Sequence, residues 1–386
     1  MNSKTIIVLG GGSGGVVCAD ELRKKLDKKH RIILIDKNEK HLFYPSLLWL
    51  IFGWRKPEQI QRPLNLLNKR EIEFIHGEVE EINLKNSLIS VNGRKLNYDY
   101  LVISLGAELN KSGLPSVAKT DKIFNFYCLE DAKLASEVIG NFTNGKIAIL
   151  VYSLPFKCPA APYEAALLLD YFFTKKNLRD KTDIQIFTPE ILPMLTAGAM
   201  LGNAVKQMVE QRNIKFNPGL KFISIDGEKQ EIKFENNRVE HFDLLLVVPP
   251  HQAPKVVKDA GLTGESGWVS VDSKTLQTKY ENVFAIGDVT SIKLPNGKIL
   301  PKAGVFAHYQ AEVVAKNIAN EIKGNDKKTE FNGKGSCFLE MGYGKAGYAS
   351  GDFYASPDPA IKLHKPSKIW HIGKILFEKW WFWKWF

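Results

Sequence analysis

Short apolar runs separated by longer amphipathic stretches recur along this chain, the pattern of strands covered on both faces that alternate with helices. The runs at Thr5–Leu9 (TIIVL), 31–35 (RIILI), 98–106 (YDYLVISLG), 146–152 (KIAILVY), 241–249 (HFDLLLVVP) and 282–288 (NVFAIGD) read as strands. Helical spacing is predicted over 13–26, 159–173 and 306–322. The class is therefore α/β with parallel sheets. Residues 1–109 and 241–323 are assigned to one domain, and 110–240 to a second inserted into it. The polar stretch 324–334 (GNDKKTEFNGK) introduces a C-terminal region, 324–386.

The first strand runs into Gly10-Gly11-Gly12-Ser13-Gly14-Gly15, in which Gly10, Gly12 and Gly15 stand at GxGxxG spacing between a strand and a helix. In such a loop the first glycine makes the turn, the second admits a pyrophosphate and the third lets helix pack on strand. The second strand ends at Asp36, placed to accept a ribose hydroxyl. Strand, loop, helix and acid together imply a bound dinucleotide; the alternative is a glycine-rich turn. Further along, the strand endings at Gly106 and at Gly287-Asp288 resemble those of two-dinucleotide flavoproteins, and the likeness extends over the first 320 or so residues. It implies two Rossmann-like dinucleotide-binding domains and FAD as cofactor. Contacts to FAD are implied for Gly10, Gly12, Ser13, Gly14, Gly15, Asp36, Lys37, Val79, Gly106, Gly287, Asp288, Lys302 and Gly304. Asp288 would meet the ribityl chain and Lys302 the pyrimidine end of the ring; the alternative for Lys302 is a solvated lysine.

Where such a flavoprotein would carry its second, nicotinamide-binding glycine loop, this chain has Ser153-Leu154-Pro155-Phe156-Lys157-Cys158, without one glycine. A pyrophosphate needs bare backbone N–H groups and close approach, which Leu-Pro-Phe denies. Cys158 falls at a predicted helix start, where unpaired N–H groups and the helix dipole favour thiolate, and Lys157 adds to that effect. It reads as a reactive thiol, with a structural cysteine as the alternative. Cys18, one turn into the first helix, reads as packing. Cys128, Cys158 and Cys337 are too far apart in sequence for zinc-finger spacing, so no metal is expected.

Residues 125–132 (NFYCLEDA), 157–165 (KCPAAPYEA) and 336–344 (SCFLEMGYG) resemble the three cysteine segments of sulfide:quinone oxidoreductases. Residues 53–63 (GWRKPEQIQRP) and 300–311 (LPKAGVFAHYQA) are similar to that family too, and the likeness spans essentially the whole chain. It implies that Cys158 and Cys337 flank one flavin face, joined by a disulfide or by sulfur atoms, and that Cys128 is a third cysteine needed for sulfide oxidation. Hydrosulfide would open the bridge to a persulfide and a thiolate, with Cys337 taken as the thiolate that meets the flavin, and the electrons would pass through FAD to a quinone. The product would be polysulfide or elemental sulfur. Glu164, on the helix after Cys158, is a candidate base, against a plain surface carboxylate. The chain departs from some members in lacking histidines near Cys128 and at Thr196-Ala197-Gly198.

Five of the eight tryptophans lie in the last 17 residues (WHIGKILFEKWWFWKWF). Ile369, Ile372, Leu376, Trp380 and Trp383 share one helical stripe, while Trp381, Phe382 and Trp385 spill beyond it. Tryptophan with lysine suits the boundary of a bilayer, so the segment reads as a monotopic membrane anchor, against a tail packed on its own domain or another subunit. The run 47–52 (LLWLIF) is a second membrane-facing candidate, against a core helix. A lipid-dissolved quinone would explain the attachment, with Phe338, Phe353 and Tyr354 as candidate quinone contacts. The net charge of +11 favours an anionic lipid surface, and no nucleic-acid motif accompanies it. No signal-like segment precedes the first strand, which favours the cytoplasmic face of the cell membrane. Homo-oligomerisation is left open.

Three other readings compete. A type II NADH dehydrogenase shares the fold and the anchor, but the glycine-free loop opposes it. The flavin subunit of a flavocytochrome c sulfide dehydrogenase uses two cysteines, and Cys128 and the tail oppose it. A sulfide or redox sensor would lack quinone-dependent turnover.

Overall fold

A computed structural model describes residues 2–110 and 121–386. The strand Thr5–Leu9, buried from Ile6 onward, is the middle of a five-stranded parallel sheet. Its order is Val283–Ala285, Tyr100–Ile103, Thr5–Leu9, Arg31–Asp36, Glu73–His76. Alternate side chains serve opposite faces. Ile6 and Val8 join Val16, Cys18 and Leu22 of the helix Ser13–Lys25 and Val314 and Ile318 of the helix Gly304–Ile322. Ile7 and Leu9 instead meet Ile82, Ile89 and Val91 of a small antiparallel sheet. Cover on both sides is why these strands read as unbroken apolar runs.

A second five-stranded parallel sheet has the order Ile123–Phe124, Leu244–Val248, Gly145–Val151, Thr182–Phe187, Lys215–Asn217. The helices Leu129–Asn141 and Ala161–Lys175 cover one face through Ile139 and Leu167, and Ile232 and Phe234 cover the other. Beyond them, Lys334–Glu340, Ala346–Asp352 and Ala360–Ser367 form an antiparallel sheet that leads into the terminal helix Lys368–Trp385.

Three expectations are corrected. The helix after Cys158 begins at Ala161, with Pro162 in its first turn. Cys158 itself lies outside the helix, in left-handed backbone with φ 53°. Its N–H donates to the Lys302 carbonyl at 2.7 Å, pinning the glycine-free loop to the flavin-type domain. The run 47–52 is core and not a membrane face: every residue is buried, and the Phe52 ring centre lies 5.4 Å from that of Phe172. Of the terminal helix, Trp381, Phe382 and Trp385 are buried in the fold while the stripe of Ile369, Ile372, Leu376, Trp380 and Trp383 faces outward. Packing on its own domain and an open apolar face thus coexist on one helix.

Candidate active site

The glycine loop has the geometry that a dinucleotide requires. Gly10 has φ 99°, and a Cβ there would lie 2.3 Å from the Ser104 carbonyl oxygen. A Cβ on Gly15 would lie 1.8 Å from the Gly10 oxygen, so that glycine is what lets the helix approach the strand. A Cβ on Gly12 would meet nothing. Asp36 accepts from the Gly11 N–H at 2.5 Å and from the Asn38 N–H at 2.6 Å. Lys37 is exposed, its ammonium 3.7 Å from Glu78, while Val79 is buried at the start of a strand. The second end of the site closes on the first, because a Cβ on Gly304 would stand 3.5 Å from the Ser13 hydroxyl. Gly14 packs on Ser104 and Ile286, Gly106 takes φ 67°, and Gly287 takes φ 74° in the turn before Asp288.

Asp288 Oδ1 is buried without a hydrogen-bond partner. Burial raises its carboxyl pKa against the pull of Lys157 and Lys302. An orphaned acceptor beside a glycine cradle fits the polyol and pyrophosphate of FAD. Lys302 is buried, not solvated. Its ammonium donates to the carbonyls of Asp288 at 2.7 Å and Thr290 at 2.9 Å and lies 3.4 Å from the centre of the Trp268 ring. Burial lowers its pKa to about 8.

Cys158 and Cys337 come together from distant segments: Cys337, on the strand Lys334–Glu340, is among the groups whose charge raises the Cys158 pKa. All four cysteines are free thiols. Burial is the main reason that the Cys158 thiol rises far above its ordinary value and that Cys337 rises to about 11. Cys158 stands outside the helix start that was expected to favour its thiolate, and desolvation raises it instead. Cys337 is exposed on its strand, beside the Phe338 that packs toward the terminal helix.

Glu164 is also buried and not a surface carboxylate. It forms an ion pair with Lys374 of the terminal helix and accepts from the Glu340 backbone N–H. Burial pushes it up to about 7 against those contacts. Lys374, although buried, is held protonated by the carboxylates of Glu164 and Glu340 and lies 4.8 Å from the Trp49 ring centre. Glu340 in turn meets His371 at 2.9 Å. No sequence signal picked out Lys374, because a lysine in an aromatic tail reads as one for lipid headgroups.

Cys128 precedes the helix Leu129–Asn141, and its N–H donates to the Asn125 side chain at 3.1 Å. The neighbouring Tyr127 hydroxyl is within electrostatic reach of Cys158, Glu190, Asp288 and Glu164. Glu190, which accepts from Tyr163 at 2.5 Å, is raised to about 7 by burial. The three aromatic candidates do not form one cluster among the described residues. Phe338 packs on Tyr348 and on Phe377 of the terminal helix. Phe353 meets Phe306, and Tyr354 meets Phe331 and donates to the Ser273 carbonyl at 2.7 Å.

Glycine cradle, orphaned aspartate and a thiol at the second sheet's phosphate-loop position, with a second thiol brought to it from the strand Lys334–Glu340, define a disulfide-type flavoprotein. The family model described as pyridine nucleotide-disulphide oxidoreductase matches residues 4–150 and 174–313. A sulfide-quinone reductase of Aquifex aeolicus is 31% identical over 405 residues, covering 99% of this chain and 91% of that one. A mitochondrial sulfide:quinone oxidoreductase of Mus musculus is 28% identical over 370 residues, covering 92% and 80%. The X-ray structure of the sulfide:quinone oxidoreductase from Aquifex aeolicus superposes with a TM-score of 0.89 at 27% identity, covering 99% of this chain and 91% of that one. The chain belongs to the sulfide:quinone oxidoreductase family, FAD-dependent enzymes within that class.

Proposed function

We propose that this protein oxidises hydrosulfide at the Cys158 and Cys337 pair and delivers two electrons through FAD to a membrane quinone. The approach of Cys337, on the strand Lys334–Glu340, to Cys158 at the end of the glycine-free loop carries the reading. In the bridged form, hydrosulfide attacks one sulfur, forming a persulfide and releasing the other cysteine as a thiolate. Attack by a second sulfide species on that persulfide frees a polysulfide. Cys128, next to Tyr127 in sequence, is the third sulfur group of the cycle. Glu164, near neutrality in its buried pair, is suited to take protons from incoming sulfide. Lys374 stabilises the thiolate that each opening of the bridge creates.

FAD, when bound, supplies the two-electron relay between thiol and quinone. Gly10, Gly12, Ser13, Gly14 and Gly15 would hold its pyrophosphate, Asp36, Lys37 and Val79 its adenosine end, and Gly106, Gly287, Asp288, Lys302 and Gly304 its ribityl and ring end. Phe338, between Cys337 in sequence and Phe377 in space, is the best placed of the three aromatic residues to meet a quinone entering from the terminal helix. Peripheral membrane attachment through the outward stripe of that helix, aided by the net charge of +11 on an anionic surface, accounts for access to a lipid-dissolved acceptor. Among the described residues no helix is long and apolar enough to cross a membrane.

Anaerobic addition of sulfide is expected to bleach the flavin absorbance and a quinone to restore it. Rapid bleaching by NADH with none by sulfide would reject the reading.

A further inference from the structure

Two buried polar atoms without a hydrogen-bond partner belong to neighbouring rings: the Tyr127 hydroxyl and His251 Nε2. Their rings meet edge to face at 5.2 Å, and the residues are only 5% and 8% exposed. His251 Nδ1 lies 2.8 Å from the Pro249 carbonyl oxygen. That oxygen can only accept, so Nδ1 carries the proton. Burial, reinforced by the charge of Lys157, lowers the imidazole to about 3, which leaves the ring neutral and Nε2 a bare lone pair. The Tyr127 hydroxyl is the opposite, a donor without an acceptor, and burial keeps it protonated. Lys157, the backbone neighbour of Cys158, holds its ammonium 6.0 Å from the centre of the Tyr127 ring and also acts on His251. An unfilled donor and an unfilled acceptor are each costly inside a protein, and a ligand that fills both is strongly favoured.

We propose that Tyr127 and His251 form the seat on which hydrosulfide waits beside Cys158, its sulfur accepting from the Tyr127 hydroxyl and its single S–H donating to His251 Nε2. Lys157 balances the negative charge. The seat selects for an anion that still carries one hydrogen, because a bare anion leaves Nε2 unfilled. No bond is made or broken there; the seat presents the sulfur lone pair to the cysteine bridge. This role rests on the sulfide reading above.

The test uses the full-length, FAD-loaded protein and rapid anaerobic flavin reduction across sulfide concentrations. Tyr127→Phe keeps the ring. His251→Asn keeps an amide N–H for the Pro249 carbonyl but falls short of the Nε2 position. In each, the half-saturating sulfide concentration is expected to rise about ten-fold or more, with the limiting rate little changed and the flavin content intact. Half-saturation at the parent value in either variant overturns the seat. Loss of FAD from Tyr127→Phe overturns it as well, since the hydroxyl then belongs to the cofactor. Failure of the parent protein to be reduced by sulfide would sink the functional reading itself, a different result from a parent that reacts and variants that match it.

Discussion

Lys374 and Glu164 act on both thiols with opposite sign: the ammonium lowers the pKa of Cys158 and Cys337, and the carboxylate raises it. Lys374→Met is therefore expected to raise the Cys337 pKa above about 11 and slow its alkylation by iodoacetamide at alkaline pH. Glu164→Gln should speed it. Losing the ammonium also strands a buried carboxyl, at about 3 kcal/mol of stability, the low end for such pairs because Glu164 can take up a proton. Cys158→Ser and Cys337→Ser are each expected to abolish nearly all flavin reduction by sulfide while FAD stays bound; fast reduction in either would dismiss the pair. Much of this site is legible in the sequence, since a missing glycine loop and the segments around Cys128, Cys158 and Cys337 are local features. The sign of the thiol shift is not. It depends on how much protein surrounds Cys158, and neither Pro159 nor Lys157 reports that.

The terminal helix shows what periodicity reveals and what it hides. Its outward stripe was visible in the spacing of Ile369, Ile372, Leu376, Trp380 and Trp383, of which Ile369 and Trp383 are 73% and 79% exposed. Its inward side holds Trp381, Phe382 and Trp385, together with Glu378, which pairs with Arg55 at 2.9 Å. The two sides call for different experiments. Ile372→Glu with Leu376→Glu, which removes apolar area and adds charge of the lipid's own sign, is expected to release the protein from anionic vesicles in a flotation assay without lowering the melting temperature. Trp385→Ala should instead cost about 3–5 kcal/mol as a core truncation. Removing the whole helix would confuse the two, because Lys374 leaves with it. The run 47–52 carried the same apolar cue but became core, covered by the helices Leu129–Asn141 and Ala161–Lys175. Which apolar element ends up covered is decided by neighbours remote in sequence.

At the scale of the molecule, alternation of strand and helix made the two parallel sheets readable, whereas the antiparallel sheet of Lys334–Glu340, Ala346–Asp352 and Ala360–Ser367 was not recognised. Its strands are largely half-exposed and polar, so period-two patterning is faint. Stability against pH is set by groups dispersed through both units. Glu190, near 4.5 when unfolded, is held at about 7. Between those values the native state binds the proton that the unfolded chain has lost, so this group's contribution falls as pH rises from 4.5 to 7. Buried, neutral His41 and His251, at about 4 and about 3, act oppositely: their contribution is complete above 6.5 and is lost on acidification. Glu190→Gln removes one side of that balance. Its stability relative to the parent should grow between pH 5 and pH 8, by at most about 3 kcal/mol, measured by urea unfolding.

His41 is the hinge pin of a longer connection. Its Nδ1 donates to the Gly11 carbonyl at 2.8 Å, and its Nε2 accepts from the Trp381 indole at 3.0 Å. One imidazole thus ties the nucleotide cradle to the helix whose far side is open. Whatever clamps that helix from outside also stiffens the cradle, so the protein on vesicles should surrender its dinucleotide more slowly than the same protein in buffer.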